Sequence, residues 1–157
     1  MGEVKFTIPG EPEGKGRPRF STGYGGKGKS FVRVHTPTKT LNYENLIKVE
    51  YVNQSGFKFP DDAMLDMRIV AYYLVPKSDS RKKREQKLNG EIRPTKKPDA
   101  DNVVKSVADA LNGIAYRDDT QIVDCQVRKF YSENPRVVVR IAEIERKEQK
   151  DNDSKGI

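Results

Sequence analysis

The sequence predicts a single two-layer α+β domain whose sheet is mixed or mostly antiparallel. Segments in which apolar and polar residues alternate lie near both ends of the chain, and segments with helical spacing of apolar residues lie between them. The chain has 157 residues, which favours one domain, and it shows no internal repeat. We therefore assign residues 1–144 to one domain and residues 145–157 to a charged tail that is disordered or a frayed helix.

The first half of the chain predicts two strands and a helix. Residues 4–8 (VKFTI) alternate as a half-buried strand does, and Pro9-Gly10 ends them. Residues 14–29 are rich in glycine and cations and predict a flexible loop or a loose hairpin, and residues 31–35 predict a second short strand. Residues 40–54 predict a helix. Its apolar positions have helical spacing and are Tyr43, Leu46, Ile47 and Tyr51.

The second half predicts three more strands and two helices. Residues 66–74 (DMRIVAYYL) suit a strand, and residues 81–88 suit a short charged helix. Residues 103–111 predict a second core-facing helix. Its apolar stripe consists of Val104, Val107, Ala108 and Leu111. Residues 122–131 and 136–144 have the pattern of two strands, and the polar residues between them predict a hairpin turn that pairs the two.

Several classes of protein are excluded by composition. No apolar run approaches the roughly 18–20 residues of a membrane span, so we expect no integral membrane protein. The first residues lack the apolar segment of a secretory signal, which predicts a cytoplasmic protein. Cys125 is the only cysteine, which excludes an intramolecular disulfide framework and a multi-cysteine zinc site. His35 is the only histidine, which excludes metal cages built from histidine.

The positive charge of the chain is clustered. The formal net charge is +7, and the segment between Pro76 and Pro98 holds nine cations and only three anions. A smaller basic group lies near the N-terminus. Clustered cations favour a polyanion such as DNA, because binding releases its counterions, although a solvated surface is the alternative interpretation. The predicted DNA-binding residues are Lys15, Arg17, Arg19, Arg81, Lys82, Lys83, Arg84, Lys96 and Lys97.

Six aspartates occur between residues 99 and 124, close to this basic segment. Asp99 and Asp101 follow Pro98 and lie in the turn that begins a helix. Either carboxylate alone is explained as a helix cap. Two of them one residue apart repel each other unless a cation lies between them, and oxygen ligands suit Mg²⁺ or Mn²⁺. Lys105 and Asp109 follow on the same side of the helix, where a surface ion-pair ladder is the alternative.

Asp118 and Asp119 lie in the loop before the strand at 122–131. Since a helix and the strand that follows it after a short loop pack together, we expect Asp119 to return to the end of the helix that carries Asp99 and Asp101. An ordinary polar turn is the alternative interpretation of this pair.

The segment KPDADNVVKSVADALNGIAYRDDTQIVD (residues 97–124) resembles the RusA family of Holliday junction resolvases, which are common in prophages. The segments GKGRPRF, HTPTKTLNYE and SRKKRE resemble it too, and the similarity runs from about residue 4 to residue 144. The resemblance implies an α+β homodimer that nicks four-way DNA junctions with Mg²⁺, for which Mn²⁺ could substitute. The catalytic residues that it implies are Asp99, Asp101, Asp119 and Lys105, the first three also binding the metal, with Asn102, Asp109 and Asp118 in support.

Three functions are weighed from these observations. The first is a Mg²⁺-dependent, structure-selective endodeoxyribonuclease that acts in recombination or repair and resolves four-way junctions by paired symmetric nicks. The second is a non-catalytic basic DNA-binding module, in which the aspartates serve as caps and ion pairs. The third is an enzyme for small phosphorylated substrates, which the clustered positive charge disfavours because a small substrate does not need so many cations.

Overall fold

The computed structural model describes residues 2–16, 19–25, 29–35 and 38–147, the second and third of these ranges as backbone only. It has the α+β class that the sequence predicts, with one four-stranded sheet, one two-stranded sheet and three α-helices among the described residues. The strands are β1 (Glu3–Pro9), β2 (Arg19–Gly25), β3 (Lys29–His35), β4 (Leu65–Leu74), β5 (Ile122–Ser132) and β6 (Arg136–Glu143). The helices are α1 (Thr38–Gln54), α2 (Arg81–Leu88) and α3 (Ala100–Ala110).

The main sheet has the strand order β1-β6-β4-β5. β6 is antiparallel to β1 and to β4, whereas β5 is parallel to β4. The prediction that β5 and β6 pair as a hairpin is therefore wrong, since β4 lies between them. The physical reason is burial: β4 carries Leu65, Met67 and Ile69, which are at most 1% exposed, and a partner on each side encloses this strand. The local turn pattern at 132–135 could not reveal a third strand distant in sequence.

β2 and β3 form the separate two-stranded sheet, in which Arg19 lies opposite His35. Of the two predictions for residues 14–29, the hairpin is confirmed for the part that the structure describes. The expected strand at 31–35 is confirmed as well, because it lies within β3.

The core lies between one face of the main sheet and the helices α1 and α3. Phe6 from β1, Ile69 from β4 and Val139 from β6 point into it, because alternate residues of a strand face the same side. The predicted apolar positions of α1 are confirmed at Tyr43, Ile47 and Tyr51, which are buried, while Leu46 is partly buried. On α3, Val107, Ala108 and Leu111 are buried as predicted, but Val103 is more deeply buried than Val104.

The opposite face of the main sheet stays accessible, since Arg68 and Arg140 are exposed and Val70 and Tyr72 are only partly buried. In the described part of the chain, no helix is long and apolar enough to cross a bilayer. The predicted tail lies outside the described residues from residue 148 onward, and residues 144–147 form no helix or strand.

Candidate functional site

The predicted position of Asp99 and Asp101 at the start of α3 is confirmed. Asp99 is the N-cap residue, and its Oδ1 accepts a hydrogen bond from the backbone N–H of Asn102 at 3.3 Å. Asp101 lies in the first turn, with its Oδ2 3.6 Å from Nζ of Lys105. Asp99 thus does cap the helix, as the structural alternative holds, but this role uses only one of its two oxygens. The remaining carboxylate oxygens and the Lys105 amine lie together at one helix end.

Two groups from the sheet approach the same end of α3. The hydroxyl of Tyr73 on β4 donates to the carbonyl of Pro98 at 2.5 Å, and burial together with the nearby Asp99 charge raises the pKa of this tyrosine. Lys129 on β5 donates to the carbonyl of Lys96 at 2.8 Å. Burial lowers the pKa of Lys129, and the attraction of Asp99 opposes that shift. Lys129 is therefore a second cation beside Asp99, and no motif in the sequence marked it.

Asp109, Asp118 and Asp119 form a second acidic group. Burial raises the pKa of the Asp119 carboxyl, and the neighbouring carboxylates of Asp118 and Asp109 raise it further. The hydroxyl of Thr120 donates to Asp118 at 2.8 Å and lowers the pKa of Asp118. The backbone N–H of Asp119 donates to Oδ1 of Asn112 at 2.9 Å, which fixes the turn against the end of α3.

Lys15 is the cation of this second group. Its Nζ lies 2.7 Å from Oδ2 of Asp109, and this hydrogen bond is the main reason that the pKa of Lys15 is raised. The predicted ladder of Asp101, Lys105 and Asp109 is therefore only half formed, because Asp101 pairs with Lys105 whereas Asp109 pairs with Lys15. A cation about 90 residues away in sequence takes the place that a helix-surface argument gave to Lys105.

Residues 10–16, which we call the N-terminal strap, carry Lys15 to α3. The backbone N–H of Lys15 donates to Oδ1 of Asn102 at 3.0 Å, and the hydroxyl of Ser106 donates to the carbonyl of Glu13 at 3.0 Å. Gly14 lies so close to α3 that a Cβ there would be 2.3 Å from Nδ2 of Asn102. The strap thus explains Asn102, and Gly14 is a positioning residue that sequence reasoning missed, although it lies in the GKGRPRF segment.

The structure does not bring Asp119 to the start of α3, as the sequence predicted. Its contacts are with Asp109, Asp118 and Asn112. Asp109 follows Asp101 by eight residues, which is about 12 Å along a helix axis. The reason is the tight turn after α3, which includes a bridge between Asn112 and Tyr116 and returns the chain beside the last turns of the helix.

The donor atoms of both acidic groups suit a divalent cation. All of them are carboxylate oxygens, which Mg²⁺ and Mn²⁺ prefer. The raised pKa of Asp119 shows that negative charge is in excess beside Asp109 and Asp118, and a cation would relieve that repulsion. Within the described ranges, however, no three or more His, Cys, Asp or Glu side chains are grouped as a candidate metal site.

The predicted DNA-binding residues fall mainly on and after α2. Arg81, Lys82 and Lys83 are exposed on the helix, Arg84 pairs with Glu133, and Lys97 is exposed just before α3. Lys96 lies 5.9 Å from the ring centre of Tyr131. Arg17 is outside the described residues, and Arg19 begins β2, where only the backbone is described.

Helix α2 is fixed to the sheet through a buried cation. Lys87 lies 2.6 Å from Asp79, and both side chains are about nine-tenths buried. Its Nζ also lies 4.7 Å from the ring centre of Tyr131 on β5. The basic segment contains no aromatic residue of its own, but the fold supplies aromatic rings to it from β5.

Two comparisons with known proteins agree with this arrangement. A family model described as endodeoxyribonuclease RusA matches residues 9–142. The "Uncharacterized protein YqaN" of Bacillus subtilis (strain 168) is 41% identical over 146 residues, which make up 92% of this chain and 99% of that relative. The matched range includes both acidic groups, the strap from Gly10 onward and the basic helix α2. Because the family model covers most of the chain, the protein belongs to the RusA endodeoxyribonuclease family.

Proposed function

We propose that the protein is a Mg²⁺-dependent endodeoxyribonuclease that resolves four-way (Holliday) junctions by paired symmetric nicks, with Mn²⁺ as a substitute metal. Family membership supports the nuclease chemistry. The observation that carries the proposal is the start of α3, where Asp99 and Asp101 lie with Lys105 and Lys129 nearby. Carboxylates for a cation and amines for a phosphate thus occupy one helix end, which phosphodiester hydrolysis requires.

The metal ligands in this proposal are Asp99, Asp101 and Asp119. Bound Mg²⁺ would polarise a phosphoryl oxygen and lower the pKa of a water molecule. The cap hydrogen bond from Asn102 holds the Asp99 carboxylate in one orientation and leaves Oδ2 for a cation. Asp119 lies with Asp109, apart from the start of α3, and this arrangement favours two cation positions over one.

Lys105 has the role of stabilising negative charge on the phosphate as it builds up in the transition state. Its amine is exposed and 3.6 Å from Asp101, so a backbone phosphate can reach both groups. Lys129 is more buried and is held by the carbonyl of Lys96, which fixes its charge beside Asp99. Fixed cations need little reorganisation as charge develops.

A homodimer is part of the proposal because a four-way junction has near two-fold symmetry. A two-fold dimer presents two identical sites to symmetry-related strands, which yields paired nicks. The exposed cations of α2 would contact backbone phosphates and position the branch by shape rather than by sequence.

A second candidate function is a DNA-binding module without catalysis. Asp99 does cap α3 and Asp101 does pair with Lys105, so each has a structural role that needs no metal. The two candidates differ in what Asp101→Asn changes. The nuclease loses cleavage but keeps or strengthens junction binding, since a carboxylate that repels phosphate is removed. The binding module loses nothing.

A gel cleavage assay with Mg²⁺ tests the proposal directly. It compares a labelled four-way junction with a linear duplex of matched sequence, for the wild type, for Asp101→Asn and for the control Asp61→Asn, which changes an exposed loop carboxylate. We expect paired nicks on the junction alone, lost in Asp101→Asn and kept in the control. Folded wild type that fails to cleave with either Mg²⁺ or Mn²⁺ would establish the binding module instead.

A further inference from the structure

The face of the main sheet that points away from the helices carries a basic groove. We call it the open sheet face. The groove has a volume of about 540 Å³, and among its lining residues five are cations and none is an acid. These cations are Lys5, Arg68, Arg128, Arg136 and Arg140. They come from all four strands, and none of them lies in the two basic segments that the sequence marked.

The strand register places three of these cations in one row across the sheet. Lys5 lies opposite Arg140, and Arg140 lies opposite Arg68 on the next strand. Like charges directly opposite each other destabilise a sheet. Glu3 offsets this cost at Arg140, at 2.6 Å, and Asp66 offsets it at Arg68, at 3.4 Å. The row therefore costs stability unless it meets a partner that carries negative charge.

The other cations form no ion pair with a described residue and lie instead beside aromatic rings. The guanidinium of Arg136 is 4.0 Å from the ring centre of Tyr72, and that of Arg128 is 5.0 Å from the ring centre of Phe130. Such stacking holds a guanidinium in place while its N–H groups stay available for an anion.

The open sheet face is linked to the acidic site around the edge of β5. Arg93, from the segment between α2 and α3, lies 4.2 Å from the ring centre of Phe130 on the open face. Its Nε donates to the carbonyl of Lys129 at 2.9 Å, and Lys129 is the cation beside Asp99. Positive charge is therefore continuous from the start of α3 to the groove.

We propose that the open sheet face binds the sugar–phosphate backbone of one duplex arm of the DNA substrate, as a contact surface separate from the cleavage site. This inference rests on the proposed function, because a branched substrate has arms that extend beyond the point of cleavage. The cations are spread over four strands spaced about 4.8 Å apart, which is wider than a small anion needs. A second copy of the chain docked face to face would bring five cations against five, so charge complementarity favours DNA.

Neutralising two unpaired cations tests the proposal. The double variant Lys5→Gln/Arg128→Gln removes two exposed charges from the groove, and Lys58→Gln/Lys147→Gln removes two exposed charges elsewhere. Binding of a four-way junction is measured by fluorescence anisotropy at several salt concentrations, with Ca²⁺ in place of Mg²⁺. Two lost phosphate contacts lower the slope of log K against log salt by about 2 and weaken binding by about tenfold or more at 0.1 M salt.

The remaining arms of the experiment separate the other occupants. A Lys5→Arg/Arg128→Lys variant keeps the charge, so we expect its slope to match the wild type. A groove variant whose slope equals that of the wild type overturns the proposal, as does an equal loss in the Lys58/Lys147 control. A change in molecular mass by light scattering without DNA also overturns it and makes the face an interface between copies. A wild type that binds but does not cleave refutes the proposed function alone.

Discussion

Asp119 shows how a single residue can trade stability for function. The pKa of its carboxyl is raised by burial and by the nearby carboxylates of Asp118 and Asp109. A raised pKa in the folded state means that the ionised carboxyl costs stability, and that stability falls as the pH rises through the carboxyl range. Because the side chain is partly exposed, this cost is only a few tenths of a kcal/mol.

We therefore predict that Asp119→Asn raises the melting temperature of the metal-free protein at pH 7 while abolishing cleavage of a junction. The gain in melting temperature shrinks as the pH is lowered, because Asp119 itself becomes protonated. Thermal denaturation in EDTA at a series of pH values measures the first effect, and the gel assay measures the second. Asp61→Asn is the control. A lower melting temperature at pH 7 would contradict the repulsion that we infer at this site.

Gly14 is the residue where close packing positions the site. A Cβ at this position would lie 2.3 Å from Nδ2 of Asn102 and 3.1 Å from Cβ of Pro98. We predict that Gly14→Ala displaces the N-terminal strap, lowers the free energy of unfolding by about 1–3 kcal/mol and slows cleavage. Chemical denaturation and the cleavage rate measure these effects.

A double-mutant cycle with Asn102→Ala checks the cause. That substitution removes the side chain with which the new methyl collides, so the two changes together cost less than the sum of the single changes. Strictly additive costs would show that Gly14 acts through some contact other than Asn102.

At the level of elements, periodicity predicted those whose burial follows a simple rule. The apolar spacing of α1 and α3 and the alternation of β1 and β4 were sufficient, because each has one buried face. The pairing of β5 with β4 could not be predicted, because it depends on which distant strand is buried most. The same limit applied at the site: the cap at Asp99 is local and was predicted, whereas the pairing of Lys15 with Asp109 spans 94 residues.

Helix α2 presents its cations from a fixed position because of Lys87. Removing one partner of a buried ion pair leaves an uncompensated charge, so we predict that Lys87→Met lowers the free energy of unfolding by about 3–5 kcal/mol. Lys83→Met on the exposed side of the same helix should change it by less than about 0.5 kcal/mol. Urea denaturation measures both. Equal small effects would show that the pair of Lys87 and Asp79 does not hold α2 to β5.

The whole molecule has its acids on the helical side and much of its positive charge around them. Cations surround the start of α3, line α2 and continue past Arg93 to the open sheet face. One chain thus offers one acidic site in an extended basic surface. Two nicks on opposed strands of a junction then need two chains, because each chain brings one such site.

Mixed dimers test whether paired nicking needs two active chains. Wild-type and Asp101→Asn chains are co-expressed with different tags, and dimers that carry both tags are purified. The substrate is a supercoiled plasmid with an extruded cruciform, which becomes linear when both strands are cut and a nicked circle when one is. We predict that mixed dimers yield nicked circles while the wild type yields linear product. In an unfractionated equal mixture, about a quarter of the dimers carry two active sites, so linear product falls to about a quarter rather than about half. A fall to half, or recovery of no species with both tags, would show that each chain cuts independently and that symmetry does not couple the nicks.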